Sequence, residues 1–257
     1  MNGQYFQTVF EKTYPKNLAY NWDNVGLQIG TLHKEITNVL LSLDLTLEVL
    51  QEANSKNCNL IVVHHPMIFS PIKKIVTDSY QGKLIEFALK HDIAVYVAHT
   101  NFDISNEGMN KILADLLDLK DQEIIDYTTE VEGLGRIGTI ETISLTECIA
   151  NVKKAFNLVD AKLIGQLDKK ITTIAISGGS GSSLLKHPRL AEVDLFITGD
   201  ISYHHALDAL NDGLTVLDVG HNVEKFGLKS LQKILKQNLH DTNIIISEID
   251  TNPYKTV

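Results

Sequence analysis

Apolar residues along the chain follow two alternating rhythms. Short runs rich in Val, Ile and Leu, namely VLLSLD at 39–44, NLIVV at 59–63 and IAVYV at 93–97, alternate with stretches in which apolar positions recur every three or four residues, TLEVLQEANSK and GKLIEFALKHD. The first kind predicts strands buried on both faces and the second predicts amphipathic helices. Together they predict a mostly parallel sheet covered by helices. Before this rhythm begins, the pattern predicts a helix from Gly3 to Tyr14 stopped by Pro15, then a loop through the turn-forming stretch NLAYNWDNVGLQIG.

Beyond NEGMNKILADLLD the pattern mixes: GLGRIGTI reads as a strand, SLTECIANVKKAF as a helix and KLIGQL as a strand. The earlier rhythm then resumes with ITTIAIS, the stretch GGSGSS, VDLFITGD, the helix SYHHALDALNDG, LTVLDVGHN, a last helix and NIIISEI. The predicted fold class is α/β, two lobes with mostly parallel sheets, divided near residues 120–130 into an N-terminal lobe 1–125 and a C-terminal lobe 126–257. AVYVAHTNFD at 94–103 and TVLDVGHNVE at 215–224 share the order strand, small residue, His, carboxylate, a hint that the lobes are related and face a shared site.

Composition narrows the classes. A formal net charge of −9 builds in no general attraction to phosphate backbones or anionic lipid, so nucleic acid is a disfavoured partner. No apolar run is long enough for a membrane span and the N-terminus carries no secretion pattern, so the cytoplasm is the expected compartment and no membrane partner is expected. Cys58 and Cys148 lie far apart within or beside apolar segments, which suits buried thiols. Any metal would therefore rest on nitrogen and oxygen ligands.

Of ten histidines, five follow an apolar strand closely: His64, His65, His99, His204 and His221. In open α/β sheets ligands bind beyond the carboxyl ends of the strands, where such residues converge. In LIVVHHPMIF, His64 and His65 end a strand before Pro66, where irregular backbone can swing both imidazoles forward. AHTNFD offers His99 and Asp103, and a carboxylate such as Asp103 can bridge two cations. In DVGHNVEKFG, His221 and Glu224 are three residues apart and would share one helical face. Each has an ordinary alternative: histidines bonded to backbone, a turn aspartate, a first-turn glutamate favoured by the helix dipole. The glycine-serine stretch could present amides to an anion or be a flexible turn, and it lacks the P-loop ending. Asp200, His204 and His205 follow another strand, with the two histidines candidates for general acid or outer-shell roles or for a plain helix surface.

Taken in order, NWDNVGLQIG, LSLDLT, HHPMIF, AHTNFD, SGGSGSS, TGDISYHHALDA and DVGHNVEKFG resemble the Nif-three-like proteins, also labelled homologues of GTP cyclohydrolase I type 2. The resemblance spans about residues 21–227. It implies two α/β lobes, a dinuclear site for divalent ions (Zn, Fe or Mn) and a ring-shaped homohexamer, with His64, His65, Asp103, His221 and Glu224 as ligands. Some relatives carry an inserted domain between the lobes, for which the middle region here leaves no room. The function expected is a metal-dependent hydrolase acting on a small molecule or nucleotide, with His99, His204 or His205 handling protons as catalytic residues. The alternative is a metal-binding regulatory or interaction protein without catalysis.

Overall fold

The computed structural model describes residues 1–240 and 242–255. In chain order it opens with helix α1 (Gly3–Thr13), strands β1 (Gly26–Ile29) and β2 (Asn38–Ser42), helix α2 (Leu47–Ser55), β3 (Cys58–Val63), α3 (Tyr80–Lys90), β4 (Ala94–Val97) and the short helix α4 (Thr100–Ile104). There follow α5 (Met109–Leu116), β5 (Lys120–Tyr127), β6 (Gly133–Ser144), α6 (Leu145–Ala155), β7 (Lys162–Ile164), β8 (Lys170–Ser180), β9 (Leu195–Gly199), α7 (Tyr203–Asn211) and β10 (Val216–Asp218). Helix α8 (Gly227–Asn238) and β11 (Asn243–Ile246) close the described chain.

The architecture is mixed α/β with two sheets, of order β1-β4-β3-β2-β11 and β5-β6-β8-β9-β10-β7. Among the described residues, five of the nine strand pairings are parallel. The chain does not divide by a single cut near residue 125. Among the described residues, one compact unit comprises 1–102 with 228–253, and the other 103–227 with 254 and 255. The reason lies in β11, which pairs in parallel with β2 and so returns the C-terminal segment to the first sheet. Strand β5 occupies the stretch taken for a lobe boundary, and β1 occupies part of the stretch taken for a loop.

In the first unit β2, β3, β4 and β11 are parallel and the edge strand β1 is antiparallel to β4. The sheet is buried on both faces, which explains its continuous apolar runs. Val95 and Val97 pack with Leu40, Ile61 and Val63 against Val49, Leu50 and Ala53 of α2 and Leu84, Ile85 and Ala88 of α3. Tyr96, pointing the opposite way, meets Phe6 and Phe10 of α1 with ring centroids 5.8 and 5.3 Å apart. The phenol of this buried tyrosine donates to Glu11 Oε1 at 2.7 Å, so its polar end is satisfied. Because the strands are parallel, the residues after β2, β3 and β4 leave from one edge of the sheet. The register Gly26 to Val97 brings the segment before β1 to that same edge.

In the second unit β8, β9 and β10 are parallel neighbours, flanked by the antiparallel strands β6 and β7. Ala175, Phe196 and Val216 pack with Ile125, Leu184, Leu190 and Ala209 as its core. In the segment SGGSGSS, β8 runs through Gly178 and Gly179 to Ser180, and a 3-10 turn, Gly181–Leu184, follows.

Candidate metal centre

In the first unit the strand ends supply three imidazoles. Beyond Val63 the backbone leaves the regular ladder, with the His64 and His65 amides both donating to Leu43 O at 3.1 and 2.9 Å. That irregularity lets adjacent residues turn the same way, and their rings lie 4.9 Å apart. His99, two residues past β4, joins them, with one ligand-capable atom from each of His64, His65 and His99 within 4.8 Å of the others. This group could hold a metal ion. His99 therefore stands among the candidate ligands as well as among the candidate proton carriers.

The other nitrogen of each ring decides what the group can do. His64 Nδ1 lies 2.7 Å from Ala98 O, His65 Nδ1 is 2.7 Å from Asp44 Oδ1, and His99 Nδ1 is 2.9 Å from Asp23 Oδ1. A carbonyl or ionised carboxylate can only accept, so in each case Nδ1 carries the proton and donates. The neutral ring then presents an unprotonated Nε2, the form that binds a metal. The aspartates are suited to this work. Burial would raise the Asp23 carboxyl, but hydrogen bonds from His99 and Thr100 outweigh it and hold Asp23 below the usual range; burial likewise opposes, and His65 and Thr251 overcome it, at Asp44. The Thr100 amide donates to Asp23 Oδ2 at 3.0 Å, which fixes the carboxylate.

The second unit builds a different cluster from the ends of β8, β9 and β10. His221 opens a 3-10 turn, His221–Phe226, rather than an α-helix. Side chains three apart eclipse in such a turn, so His221 Nε2 and Glu224 Oε2 come within 3.2 Å. On its other side His221 Nδ1 donates to Asp200 Oδ2 at 2.8 Å. Asp200 itself has φ of 52°, left-handed backbone that aspartate tolerates better than most residues. Asp218, at the end of β10, accepts from the amides of Ile201 and Gly220 at 3.1 and 2.9 Å and ties the two loops together.

This arrangement fits a cation. With the neutral His221 ring donating its Nδ1–H to Asp200, an unprotonated nitrogen faces a carboxylate oxygen at 3.2 Å, and two ligand atoms on a tetrahedral ion at about 2.1 Å each stand roughly 3.4 Å apart. Glu224 is 2% exposed and Asp103 9%, and a carboxylate oxygen of one lies within 4.8 Å of one of the other. Two nearly buried carboxylates so close repel unless positive charge joins them. Asp103 is held in place through Asn110, which donates to Asp103 O and accepts from the Gly178 amide, each at 2.9 Å.

The glycines of SGGSGSS make room for the cluster. A Cβ at Gly179 would stand 2.7 Å from Glu224 Oε1 and 3.3 Å from His221 Nε2, and its φ of 58° favours glycine. His204 and His205 lie exposed in the first turn of α7, and among the described residues neither joins a group of three metal-capable side chains. Asp23 and Asp44 went unassigned in the sequence, although NWDNVG and LSLDLT place both beside strands.

A family model described as Duf34/NIF3 (NGG1p interacting factor 3) matches residues 1–253. The chain belongs to this family. A Streptococcus pneumoniae protein named GTP cyclohydrolase 1 type 2 homolog is 38% identical over 253 residues, covering 95% of this chain and 96% of that protein. One of the same name from Halalkalibacterium halodurans is 32% identical, covering 98% of each chain. That alignment runs over 365 positions against the 257 residues here, so the Halalkalibacterium relative carries a long segment this chain lacks. Among solved structures, a Bacillus cereus protein related to NIF3 superposes with a TM-score of 0.94 at 29% identity, covering 100% of this chain and 99% of that one. No helix of the described residues is long and apolar enough to cross a membrane.

Replacing Gly179 with Ala is expected to destabilise the fold by about 1–2 kcal/mol through the left-handed backbone alone. Urea denaturation reads this as a lowered midpoint, and an unchanged midpoint would contradict the close approach described.

Proposed function

We propose that the protein is a metal-dependent hydrolase holding two divalent ions on His64, His65, Asp103, His221 and Glu224, with a small molecule or nucleotide as substrate. The observation that carries this reading is the tautomer imposed on His64, His65, His99 and His221, each of which donates its Nδ1–H to an acceptor-only oxygen. The relatives' names point the same way but identify no substrate for this chain. Bound divalent ions would supply Lewis acidity and bring the pKa of a coordinated water toward neutrality.

The chain's own residues supply the rest. Carboxylates and a carbonyl behind the four rings hold the imidazoles in register and leave the lone pair of each neutral ring on Nε2. His99, backed by Asp23, is the residue assigned to proton transfer at Nε2, since its partner both orients the ring and stabilises its charged form. The family description also names a protein interaction, which keeps a metal-binding interaction module as the second reading. In the first reading the protein works in the cytoplasm, the compartment expected from a sequence with no secretion pattern and no long apolar run, and as a homohexamer, an assignment that rests on the family resemblance.

Metal analysis of protein purified without added metal is expected to give close to two divalent ions per chain. Asp103→Ala is expected to lose both, as a shared carboxylate requires, and full occupancy in that variant would overturn its role. In a hydrolysis screen over nucleotides and phosphoesters, His99→Ala should keep its metal and lose turnover, whereas His64→Ala loses both. Loss of metal from His99→Ala would make His99 a ligand, and the same assay on His204→Ala and His205→Ala tests whether either carries the proton instead. No hydrolysis above the metal-free control would favour the interaction module.

Light scattering at micromolar concentration is expected to give a mass near six times 28.6 kDa. A single-chain mass would overturn the ring.

A further inference from the structure

Beside the imidazoles of the first unit lies a group of aromatic side chains that neither the core nor the candidate ligands account for. Trp22 is 58% exposed and Phe69 57%, unusual values for rings of this size. Tyr20 stacks on Trp22 at a centroid distance of 5.7 Å and an interplanar angle of 20°, and Phe69 leans on it at 5.7 Å and 48°. The Trp22 ring also meets His99 in a T-shaped pair, with centroids 6.2 Å and planes 74° apart. With Tyr20 against one face, the large exposure of Trp22 comes from its remaining surface.

The group is built rather than loose. Asn24 Nδ2 and Gln28 Nε2 donate to Ile68 O at 2.6 and 3.1 Å, and the Ile68 amide donates to Gln28 Oε1 at 2.9 Å. Three hydrogen bonds thus pin the backbone next to Phe69 to the segment that carries Trp22. On the other side, Asp23 is held by Thr100 and His99. Rings fixed in this way offer contact area with little ordering cost, which suits the recognition of a flat partner.

We propose that Tyr20, Trp22 and Phe69 form a shelf that stacks a planar heteroaromatic ring of the substrate beside His99. A ring lying on Trp22 would sit one stacking distance from a side chain that already meets His99, so a bond attached to that ring falls within reach of the histidine group. A nucleobase has the required flatness and polar edges. This inference deepens the hydrolase reading and takes its catalytic meaning from it, but ring binding is measured without turnover.

Trp22 is the sole tryptophan, so emission excited beyond the tyrosine absorption band reports on the shelf alone. Full-length protein as purified is titrated with GMP, with AMP and with ribose phosphate as the ring-free control, correcting absorption by the bases with free N-acetyltryptophanamide. Saturable quenching by GMP or AMP and none by ribose phosphate is the expected result. Equilibrium dialysis should show GMP or AMP binding weakened about tenfold or more in Trp22→Ala, in the range found for base-aromatic stacks, and largely kept in Trp22→Phe. Phe69→Ala should weaken it as well, with metal content unchanged in all three variants. No saturable quenching by either ring probe, equal quenching by ribose phosphate, or unchanged dialysis affinity in Trp22→Ala would overturn the proposal. So would a change of mass in Trp22→Ala with nucleotide binding intact, which would mean that the rings cover a second copy of the chain. Missing metal with intact ring binding would defeat the hydrolase reading and leave the shelf standing.

Discussion

The candidate centre depends on one hydrogen bond repeated four times, from an imidazole Nδ1–H to an oxygen that can only accept. It fixes the tautomer, the ring plane and the direction of Nε2 in a single contact. A histidine without such a partner rotates and shares its proton between two nitrogens. Here Ala98 O, Asp44, Asp23 and Asp200 remove that freedom from His64, His65, His99 and His221. Asp23 and Asp44 stay ionised because their own hydrogen bonds outweigh burial.

The fold explains how those partners find each other. Parallel strands send their carboxyl ends to one edge, so Asp44 after β2, the two histidines after β3 and His99 after β4 leave neighbouring strands together. In the second unit β8, β9 and β10 do the same for the glycine pair, Asp200 and His221. Each unit builds its own cluster by the same rule with different chemistry: three imidazoles in one, an imidazole with two carboxylates in the other. The Trp22 shelf uses the rule once more, since the antiparallel register of β1 brings the segment before it to the edge where His99 emerges.

Much of this was legible in the sequence, and the misses have physical causes. Strands buried on both faces leave unbroken apolar runs, so β2, β3 and β4 were readable, as were the histidines that follow them. Strand β5, KDQEIIDY, carries four charged residues and resembles a linker, while β1 is four residues at an edge. The pairing of β11 with β2 joins residues some two hundred positions apart, which no local pattern records, and the single cut near 125 failed for that reason. His221 and Glu224 are three apart in an α-helix or a 3-10 turn alike, so spacing could not reveal that they eclipse. Asp23 and Asp44 were hidden for a subtler reason: an aspartate after a strand most often bonds backbone amides, and only the register shows that each faces a histidine ring.

The central claim is that acceptor-only partners, rather than the ligands by themselves, set the metal affinity of the histidines. Competition of the metal-loaded protein against a chelator of known zinc affinity tests it directly in Asp44→Ala, which leaves all five proposed ligands in place. The account predicts affinity lowered about 10–100-fold through the freed His65 ring. Wild-type affinity in that variant would contradict it.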